Sequence, residues 1–219
     1  MCRMLAFSSD CDLNIRNYLN KLKKMAKDGM NAPHKDGFGY FALNSSGIFS
    51  FVKSKDSVID KSITTDFKAK LLIAHARKAS PKTKKRDDQA HPFSFYKDGT
   101  LTILAHNGSL KEYSSNVLGV DTEAILKVIA KEGFEKGILS LSKMSYRALN
   151  LLVFQDDFLY ALRLTRVNFD YYTLYVMERD GLIVLSSEKI YKNMHPLENG
   201  GALKIKNGEV IKRWQMKDG

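Results

Sequence analysis

The order of the predicted elements places this chain in the α+β class. Apolar or alternating segments typical of strands occur in both halves of the 219 residues, and the helical segments are grouped between them. Strands and helices therefore do not alternate one by one, as they would in a parallel sheet built from β-α-β units. No internal repeat or Pro- and Gly-rich linker interrupts the chain, so we expect a single domain over residues 1–219.

The first half is predicted to begin with a short strand, residues 2–7, followed by a helix. From residue 12 to residue 27 apolar side chains recur at helical spacing, with Asp12 as the predicted N-cap and Gly29 as the stop. The sequence then predicts a hairpin with its turn at 44–47, a loop or short helix at 56–68, a strand at 71–75, and a strand at 100–106 that ends at Asn107-Gly108.

The second half is predicted to contain two helices and then paired strands. The helices cover residues 121–132, with Asp121 as the N-cap, and 133–144. Three hairpins follow, pairing 148–154 with 158–164, 171–177 with 181–186, and 202–205 with 209–214. In the last of them Asn207-Gly208 is a strong signal for a two-residue turn.

The composition is that of a soluble globular protein, with 44% hydrophobic and 27% charged residues. No apolar run approaches the roughly 18 residues needed to cross a bilayer, and the first ten residues lack the features of a secretory signal, so we expect a cytoplasmic protein. The two cysteines, Cys2 and Cys11, show no zinc-binding spacing, and we expect neither a metal nor a cofactor. Cys11 is interpreted as a small buried hydrophobic residue.

The net charge of +11 raises the question of a nucleic-acid partner. The basic residues are scattered, however, and no nucleic-acid-binding motif accompanies them. They are densest on one face of the first helix and in one loop: Lys21, Lys23, Lys24 and Lys27, then Lys82, Lys84, Lys85 and Arg86. A solvated basic surface explains this pattern better, so nucleic acid is not expected to be the main partner.

Cys2 becomes chemically distinctive once Met1 is removed. Methionine is usually trimmed before a small second residue, and trimming leaves a thiol and a free α-amine on Cys2. Such groups ordinarily titrate at roughly 8.5 and 7.7–8, so the amine can relay the proton of the thiol. Nucleophile and base then share one residue. A small second residue is common, so this feature alone does not establish the mechanism.

Four of the five histidines lie in short motifs at predicted strand ends, where catalytic groups are often mounted. They are His34, His75, His91 and His106. Taken singly, each is more often a hydrogen-bonded structural residue than a catalyst. Their spacing matches no metal-binding pattern.

Together these motifs resemble a class II glutamine amidotransferase domain of the stand-alone type. They are Met-Cys-Arg at the start, H-x-D-G-x-G at 34–39, H-x-R-x-A-S at 75–80, H-P-F at 91–93, H-N-G at 106–108 and D-T-E at 121–123. The ordered match spans roughly residues 2–125. The resemblance implies the N-terminal-nucleophile hydrolase fold, a four-layer αββα sandwich of two antiparallel sheets covered by helices. It also implies hydrolysis of the γ-amide of glutamine to glutamate and ammonia through a thioester.

The resemblance assigns a task to each central residue. Cys2 would attack the amide carbon, and the Asn107 side chain with the Gly108 N–H would stabilise the oxyanion. Arg77 would bind the α-carboxylate of the substrate through its planar fork, and Asp121 would bind the α-ammonium group. The structural alternatives are a surface salt bridge for Arg77 and a helix N-cap for Asp121.

Further motif residues are expected to contact substrate or to support the site. Ser80 and His91 are the expected substrate contacts, while His75 and His106 are expected to brace Arg77 and Asn107. The expected supporting residues also include Arg3, His34, Asp36 and Gly37, with the last two in a turn near the nucleophile. Arg3 is either structural or a partner of the thiolate. Lys78 and Phe38 replace aromatic residues that the family often carries.

Three alternatives to a free-standing glutaminase stay open. In the first alternative, the substrate is a γ-glutamyl amide of a larger metabolite instead of L-glutamine. The chain is alternatively a glutaminase subunit whose main role is to bind a synthase partner that accepts the ammonia. The third alternative is a basic module that associates with RNA or DNA and has no catalytic activity.

Overall fold

Two antiparallel β-sheets lie face to face in the computed structural model, which describes residues 2–79, 85–111 and 120–216. Over these residues the first sheet has seven strands, in the spatial order β11 (His195–Pro196), β9 (Tyr175–Arg179), β10 (Leu182–Ser186), β1 (Arg3–Asn14), β4 (Lys68–Ala76), β2 (Phe38–Leu43) and β3 (Phe49–Ser54). The second has six over the same ranges, in the order β13 (Glu209–Gln215), β12 (Gly201–Lys206), β8 (Phe158–Leu162), β7 (Tyr146–Gln155), β6 (Thr100–Leu110) and β5 (Phe93–Lys97).

Helices cover both outer faces, so the molecule has four layers. Helix α1 (Arg16–Asp28) packs on the first sheet, and helices α2 (Asp121–Glu132) and α3 (Phe134–Ser142) pack on the second. The alternation of side chains along β1 explains the layering, because successive residues of a strand face opposite sides. Leu5 and Phe7 face α1, whereas Met4 and Ala6 face the second sheet. The predicted αββα sandwich is confirmed.

Helix α1 is amphipathic as predicted, but it begins later than expected. Its apolar stripe is buried against the first sheet, while Lys24 and Lys27 are exposed, which confirms the solvated basic face. The helix ends at Gly29, as predicted. Asp12 is not the N-cap, because β1 continues to Asn14 and occupies the predicted first turn. Its carboxylate instead accepts hydrogen bonds from Ser45.

The second half follows the prediction closely. Helix α2 has the predicted bounds, and the three predicted hairpins form, with Asn207 and Gly208 at positive φ in the last turn. Asp121 is the first helical residue of α2 and not its N-cap, which is Val120. Within the described ranges, no helix is both long enough and apolar enough to span a membrane.

Several expectations for strands and loops were wrong. Strand β6 runs past His106 to Leu110, so Asn107-Gly108 lies inside a strand because the pairing with β7 continues there. Strands β5 and β11 were not predicted. Residues 56–67 form a loop, which is one of the two forms expected for 56–68, and β4 begins at Lys68. Cys11 is exposed, because the pairing of β1 with β4 shifts register between Ser8 and Leu13.

Candidate active site

Cys2, Arg77 and Asn107 meet at one end of the sandwich, where the inner faces of both sheets stop. Cys2 shares the inner-facing side of β1 with Met4, and Asn107 shares the inner-facing side of β6 with Ala105. The main-chain N–H of Cys2 donates to Oδ1 of Asn107 at 2.9 Å. This bond joins the start of the first sheet to the second sheet.

Of the two polar atoms of the Asn107 side chain, Oδ1 accepts a hydrogen bond and Nδ2 makes none within the described part of the chain. The Nδ2 atom is buried. An unsatisfied buried donor costs about 1–3 kcal/mol, so such atoms in native proteins call for an explanation. The thiol of Cys2 makes a long contact with the carbonyl oxygen of Lys78, at 3.9 Å. The thiol-bearing residue Cys2 and the Asn107 Nδ2 donor therefore lie on two residues that are in contact.

Gly108 is required by the close approach of strand β7. A Cβ atom at this position would lie 1.9 Å from the carbonyl oxygen of Ala148 and 2.7 Å from Nε2 of His106. His106 in turn contacts that carbonyl oxygen through Nε2 at 3.1 Å. His106 thus contacts the neighbouring strand at the level of Asn107 and Gly108, and its bracing role stays a prediction.

Arg77 directly follows β4, and its main chain is held by the H-x-D-G-x-G segment. Its N–H donates to the Gly37 carbonyl at 2.8 Å, and its own carbonyl accepts from Asp36 N–H at 2.9 Å. The side chain is buried, 4% exposed, with Nη2 lying 3.3 Å from Oε1 of Gln89. Burial lowers the pKa of Arg77, while the negative charge of a Cys2 thiolate opposes that change. The side chain of Arg77 is therefore not a surface group, as the alternative of a surface salt bridge would require.

The Asp36-Gly37 turn shapes the loop beside Arg77. Asp36 accepts from Ala79 N–H at 3.0 Å and pairs with Lys85 at 2.6 Å. Burial alone would raise the pKa of Asp36, but Lys85 and the Ala79 N–H hold it below its ordinary value. Gly37 has φ +136°, and a Cβ on Gly39 would lie 2.4 Å from the His91 carbonyl oxygen. These glycines let the H-x-D-G-x-G and H-P-F motifs approach each other.

Three of the motif histidines form a buried cluster around Thr122, a residue that the sequence did not single out. The rings of His75 and His91 stack with centroids 4.1 Å apart. His91 Nε2 and His106 Nδ1 lie 2.9 and 3.3 Å from the Thr122 hydroxyl. Burial lowers the pKa of His75 to about 3 and that of His91 well below its ordinary value. Both side chains are therefore neutral at physiological pH; the bracing role expected of His75 and the substrate contact expected of His91 stay predictions.

A second group of contacting side chains lies next to Cys2 and contains the buried Arg3. Its guanidinium, in a side chain 1% exposed, pairs with Glu188 at 2.6 Å, donates to the Met30 carbonyl and lies 4.8 Å from the ring centroid of Tyr171. The Tyr171 hydroxyl donates to the Cys2 carbonyl at 3.4 Å and lies 3.4 Å from Nε2 of His34. Since Arg3 has a carboxylate partner, the structural interpretation of Arg3 is favoured over a partner for the thiolate.

Asp121 lies at the same end of the molecule, at the start of α2. Its Oδ2 accepts from Leu110 N–H at 2.7 Å, and its Oδ1 is 4.0 Å from Nδ1 of His106. Burial raises the pKa of Tyr172, and the charges of Cys2 and Asp121 both add to that rise. Tyr172 thus lies within electrostatic reach of both groups.

Ser80 falls outside the described residues. Among those described, no group of His, Cys, Asp and Glu side chains is arranged to hold a metal ion.

Comparisons with known proteins agree with this architecture. An uncharacterised protein of Methanocaldococcus jannaschii is 23% identical, over 96% of this chain and 71% of its own length. The structure of an allosteric regulatory enzyme of purine biosynthesis matches with a TM-score of 0.75 at 18% identity, over 98% of this chain and 49% of that one. This chain thus spans about half the length of that enzyme.

A second solved structure, a predicted glutamine amidotransferase from Pseudomonas aeruginosa, matches with a TM-score of 0.60 at 16% identity, over 96% of this chain and 100% of that one. At such identities the two structures show the shared N-terminal-nucleophile hydrolase fold. The sequence profile described as "Glutamine amidotransferases class-II" matches residues 1–129, more than half of the chain. The chain therefore belongs to the class II glutamine amidotransferase family.

Proposed function

We propose that this chain hydrolyses the γ-amide of glutamine to glutamate and ammonia, with Cys2 as an N-terminal nucleophile. The contact that carries the proposal joins the main-chain nitrogen of Cys2 to Oδ1 of Asn107 at 2.9 Å. Through it the first residue of the processed chain lies beside an amide group whose Nδ2 has no partner in the described part of the molecule. Cys2 supplies the sulfur and the amine, and Asn107, which contacts Cys2, supplies the oxyanion donor.

Removal of Met1 turns the peptide nitrogen of Cys2 into an α-amine, which is the base. The amine takes the thiol proton, Sγ attacks the γ-carbonyl carbon of glutamine, and a C–S bond forms while the carbonyl electron pair moves to oxygen. Collapse of this intermediate breaks the C–N bond, and the α-ammonium gives its proton to the leaving nitrogen, so that ammonia departs. Water then cleaves the γ-glutamyl thioester, which releases glutamate and restores the thiol.

The oxyanion of the intermediate is stabilised by Asn107 Nδ2 and by the N–H of Gly108. Both groups are rigid, because Asn107 is fully buried inside β6 and Gly108 packs directly against the main chain of β7. Donors that are fixed before the reaction need no reorganisation when the charge develops. The buried donor that costs stability in the free protein is therefore used in the transition state.

Arg77 and Asp121 recognise the amino-acid end of the substrate. The buried guanidinium of Arg77 is electrostatically coupled to Cys2, and its planar fork fits a carboxylate. Oδ2 of Asp121 accepts from Leu110 N–H, whereas Oδ1 has long contacts, 3.5 Å to the Thr122 hydroxyl and 4.0 Å to His106 Nδ1, and is the oxygen that accepts from the α-ammonium group. His91 supports this end of α2 through Thr122, and Ser80 stays a predicted substrate contact.

A γ-glutamyl amide of a larger metabolite is the alternative substrate. Arg77 and Asp121 bind only the glutamyl end, so the same residues serve a larger leaving amine. When glutamine is the substrate, the released ammonia is passed to a synthase partner, as the family's transferase activity implies. Comparing the release of glutamate from glutamine and from a γ-glutamyl alkylamide decides between the two substrates.

The decisive test is a glutamate-release assay on protein whose intact mass shows that Met1 is absent. We expect equal amounts of glutamate and ammonia from glutamine, and no turnover by Cys2→Ala. Cys11→Ala is the matched control, and it should keep full activity because Cys11 is exposed and lies away from the site. Turnover by Cys2→Ala, or a Met1-free sample inactive on both substrates, contradicts the proposal.

A further inference from the structure

The first residue of the processed chain needs more than its own peptide bond to stay in place. Chain ends fray unless other groups tie them down, and without Met1 the residue Cys2 has a covalent neighbour on one side only. Two main-chain contacts hold it: its nitrogen to Asn107 at 2.9 Å, and its carbonyl oxygen to the Tyr171 hydroxyl at 3.4 Å. The second contact has no part in the mechanism described so far.

Tyr171 is well placed to act as a fixed support. Its side chain is 4% exposed, with the Arg3 guanidinium on the ring and the Tyr172 ring edge-on at 5.2 Å. Burial raises the pKa of Tyr171, so its hydroxyl keeps its hydrogen. A neutral His34 carries hydrogen on only one ring nitrogen. Donation from Tyr171 to Cys2 therefore requires that hydrogen on Nε2, which lies 3.4 Å from the Tyr171 oxygen, and not on Nδ1, which lies 3.4 Å from the Ala26 carbonyl oxygen.

The support is anchored through the residue next to Cys2. Arg3 contacts the Tyr171 ring and pairs with Glu188, and Glu188 also accepts from Met30 N–H at 2.7 Å. Arg3 in turn donates to the Met30 carbonyl. The start of β1 and the tyrosine that contacts Cys2 are therefore tied to the same ion pair, in which Arg3 is buried and Glu188 is partly exposed.

We propose that Tyr171 is a positioning residue for the N-terminal nucleophile, whose hydroxyl holds the Cys2 carbonyl so that sulfur and α-amine face the substrate amide. This inference rests on the proposed function, because it assigns Tyr171 a task in that reaction. The contact is separate from the recognition of glutamine by Arg77 and Asp121. Its loss therefore lowers kcat and leaves KM unchanged.

The test is Tyr171→Phe in the Met1-free protein, which keeps the ring beside Arg3 and removes only the hydroxyl. We expect kcat to fall about three- to tenfold, the effect of one hydrogen bond, with KM for glutamine within about twofold. Tyr40→Phe is the matched control, since it removes a hydroxyl that contacts Ser50 Oγ at 3.2 Å on the α1 side of the first sheet. Both kinetic constants should be unchanged in that variant.

A second readout separates this inference from the proposed function. In a Cys11→Ser background, iodoacetamide should alkylate Cys2 severalfold faster in Tyr171→Phe than in the parent, and at the parent rate in Tyr40→Phe. For an active enzyme, an unchanged kcat in Tyr171→Phe, or an equal loss in Tyr40→Phe, overturns the inference. If the parent releases no glutamate, the proposed function fails, and unchanged alkylation in Tyr171→Phe then overturns the positioning role as well.

Discussion

Replacing Asn107 with alanine tests whether Nδ2, which has no hydrogen-bond partner among the described residues, serves the reaction. The change removes Oδ1, which accepts from Cys2 at 2.9 Å, together with the buried Nδ2. Removal of one oxyanion donor lowers kcat by about 10²–10³, or about 2.7–4 kcal/mol of transition-state stabilisation. We expect a loss of that size at saturating glutamine, measured as the initial rate of glutamate release.

The free energy of unfolding should change much less than the activity in Asn107→Ala. Loss of Oδ1 leaves the buried nitrogen of Cys2 without its acceptor, which destabilises the fold by about 1–3 kcal/mol. Removal of an already unsatisfied donor relieves a burial cost of about 1–3 kcal/mol. The two effects offset each other, so we expect a change within about 1 kcal/mol, measured by urea denaturation.

Asn150→Ala is the matched control, because Asn150 pairs directly with Asn107 across β6 and β7 and is equally buried. Its Nδ2 donates to the Tyr172 carbonyl at 2.6 Å, and its Oδ1 accepts from Leu164 N–H at 3.2 Å. Truncation leaves two main-chain groups unsatisfied, which should lower stability by about 2–6 kcal/mol. At about 2–4 °C per kcal/mol, Tm should fall by several degrees or more.

Comparing Asn107→Ala with Asn150→Ala tests whether Nδ2 of Asn107 is an oxyanion donor. Asn107→Ala should lose activity and keep its stability, whereas Asn150→Ala should lose stability and keep more of its activity while folded. If Asn107→Ala retains kcat within about threefold of the parent, Nδ2 is not an oxyanion donor. If it unfolds as readily as Asn150→Ala, the unsatisfied nitrogen does not carry the burial cost assigned to it.

Three further predictions concern charge and burial near the site. Arg77→Lys should raise KM for glutamine at least about tenfold in steady-state assays with little effect on kcat, because a point charge replaces a planar fork. Glu188→Gln should lower the free energy of unfolding in urea by about 2–3 kcal/mol, since it leaves the guanidinium of Arg3 without its carboxylate. Burial lowers the pKa of His34 and His75 to about 3. Below about pH 6.5 the unfolded chain therefore binds more protons than the folded one, and the free energy of unfolding, measured stepwise in pH, should fall towards pH 3.

Each of these predictions has a control or a contradicting result. Glu135→Gln breaks an exposed pair with Lys212 and should change stability by no more than about 0.5 kcal/mol. His75→Gln should flatten the pH dependence by the slope of one histidine, about 1.4 kcal/mol per pH unit. An unchanged KM in Arg77→Lys, or a stability that is constant between about pH 7 and 4, contradicts the corresponding assignment.

Local signals in the sequence located most elements, but only the fold shows how a strand continues. Asn-Gly at 207–208 predicted a turn correctly, whereas the same dipeptide at 107–108 lies within β6. The difference is the pairing with β7, in which Asn107 and Gly108 face Asn150 and Leu149. Strand β5 lacks a strong pattern of its own and is defined by its pairing with β6. Long-range pairing of this kind leaves no local trace.

The residues of the candidate site also fall into two groups: those that local sequence motifs identify and those that only the fold brings together. Cys2, Arg77 and Asn107 could be selected because each lies in a compact motif, and the structure brings all three to one end of the sheets. Tyr171 and Glu188 carry no such motif. Glu188 reaches Arg3 because β1 pairs with β10, and Ser187 N–H continues that pairing to the Met4 carbonyl at 3.0 Å. The order of strands in the sheet brings these residues together, and spacing along the chain does not reveal that order.

The central position of β1 has a consequence for when the protein can mature. A peptidase that trims Met1 must reach the first peptide bond, yet in the folded chain Cys2 is only 9% exposed and β1 is flanked by β4 and β10. During synthesis the amino terminus emerges long before β10 at residues 182–186 has been made. The nascent chain therefore offers a period of free access that folding ends. Under the proposed function, which requires a free amine on Cys2, the timing of trimming against closure of the sheet would set the active fraction of the protein.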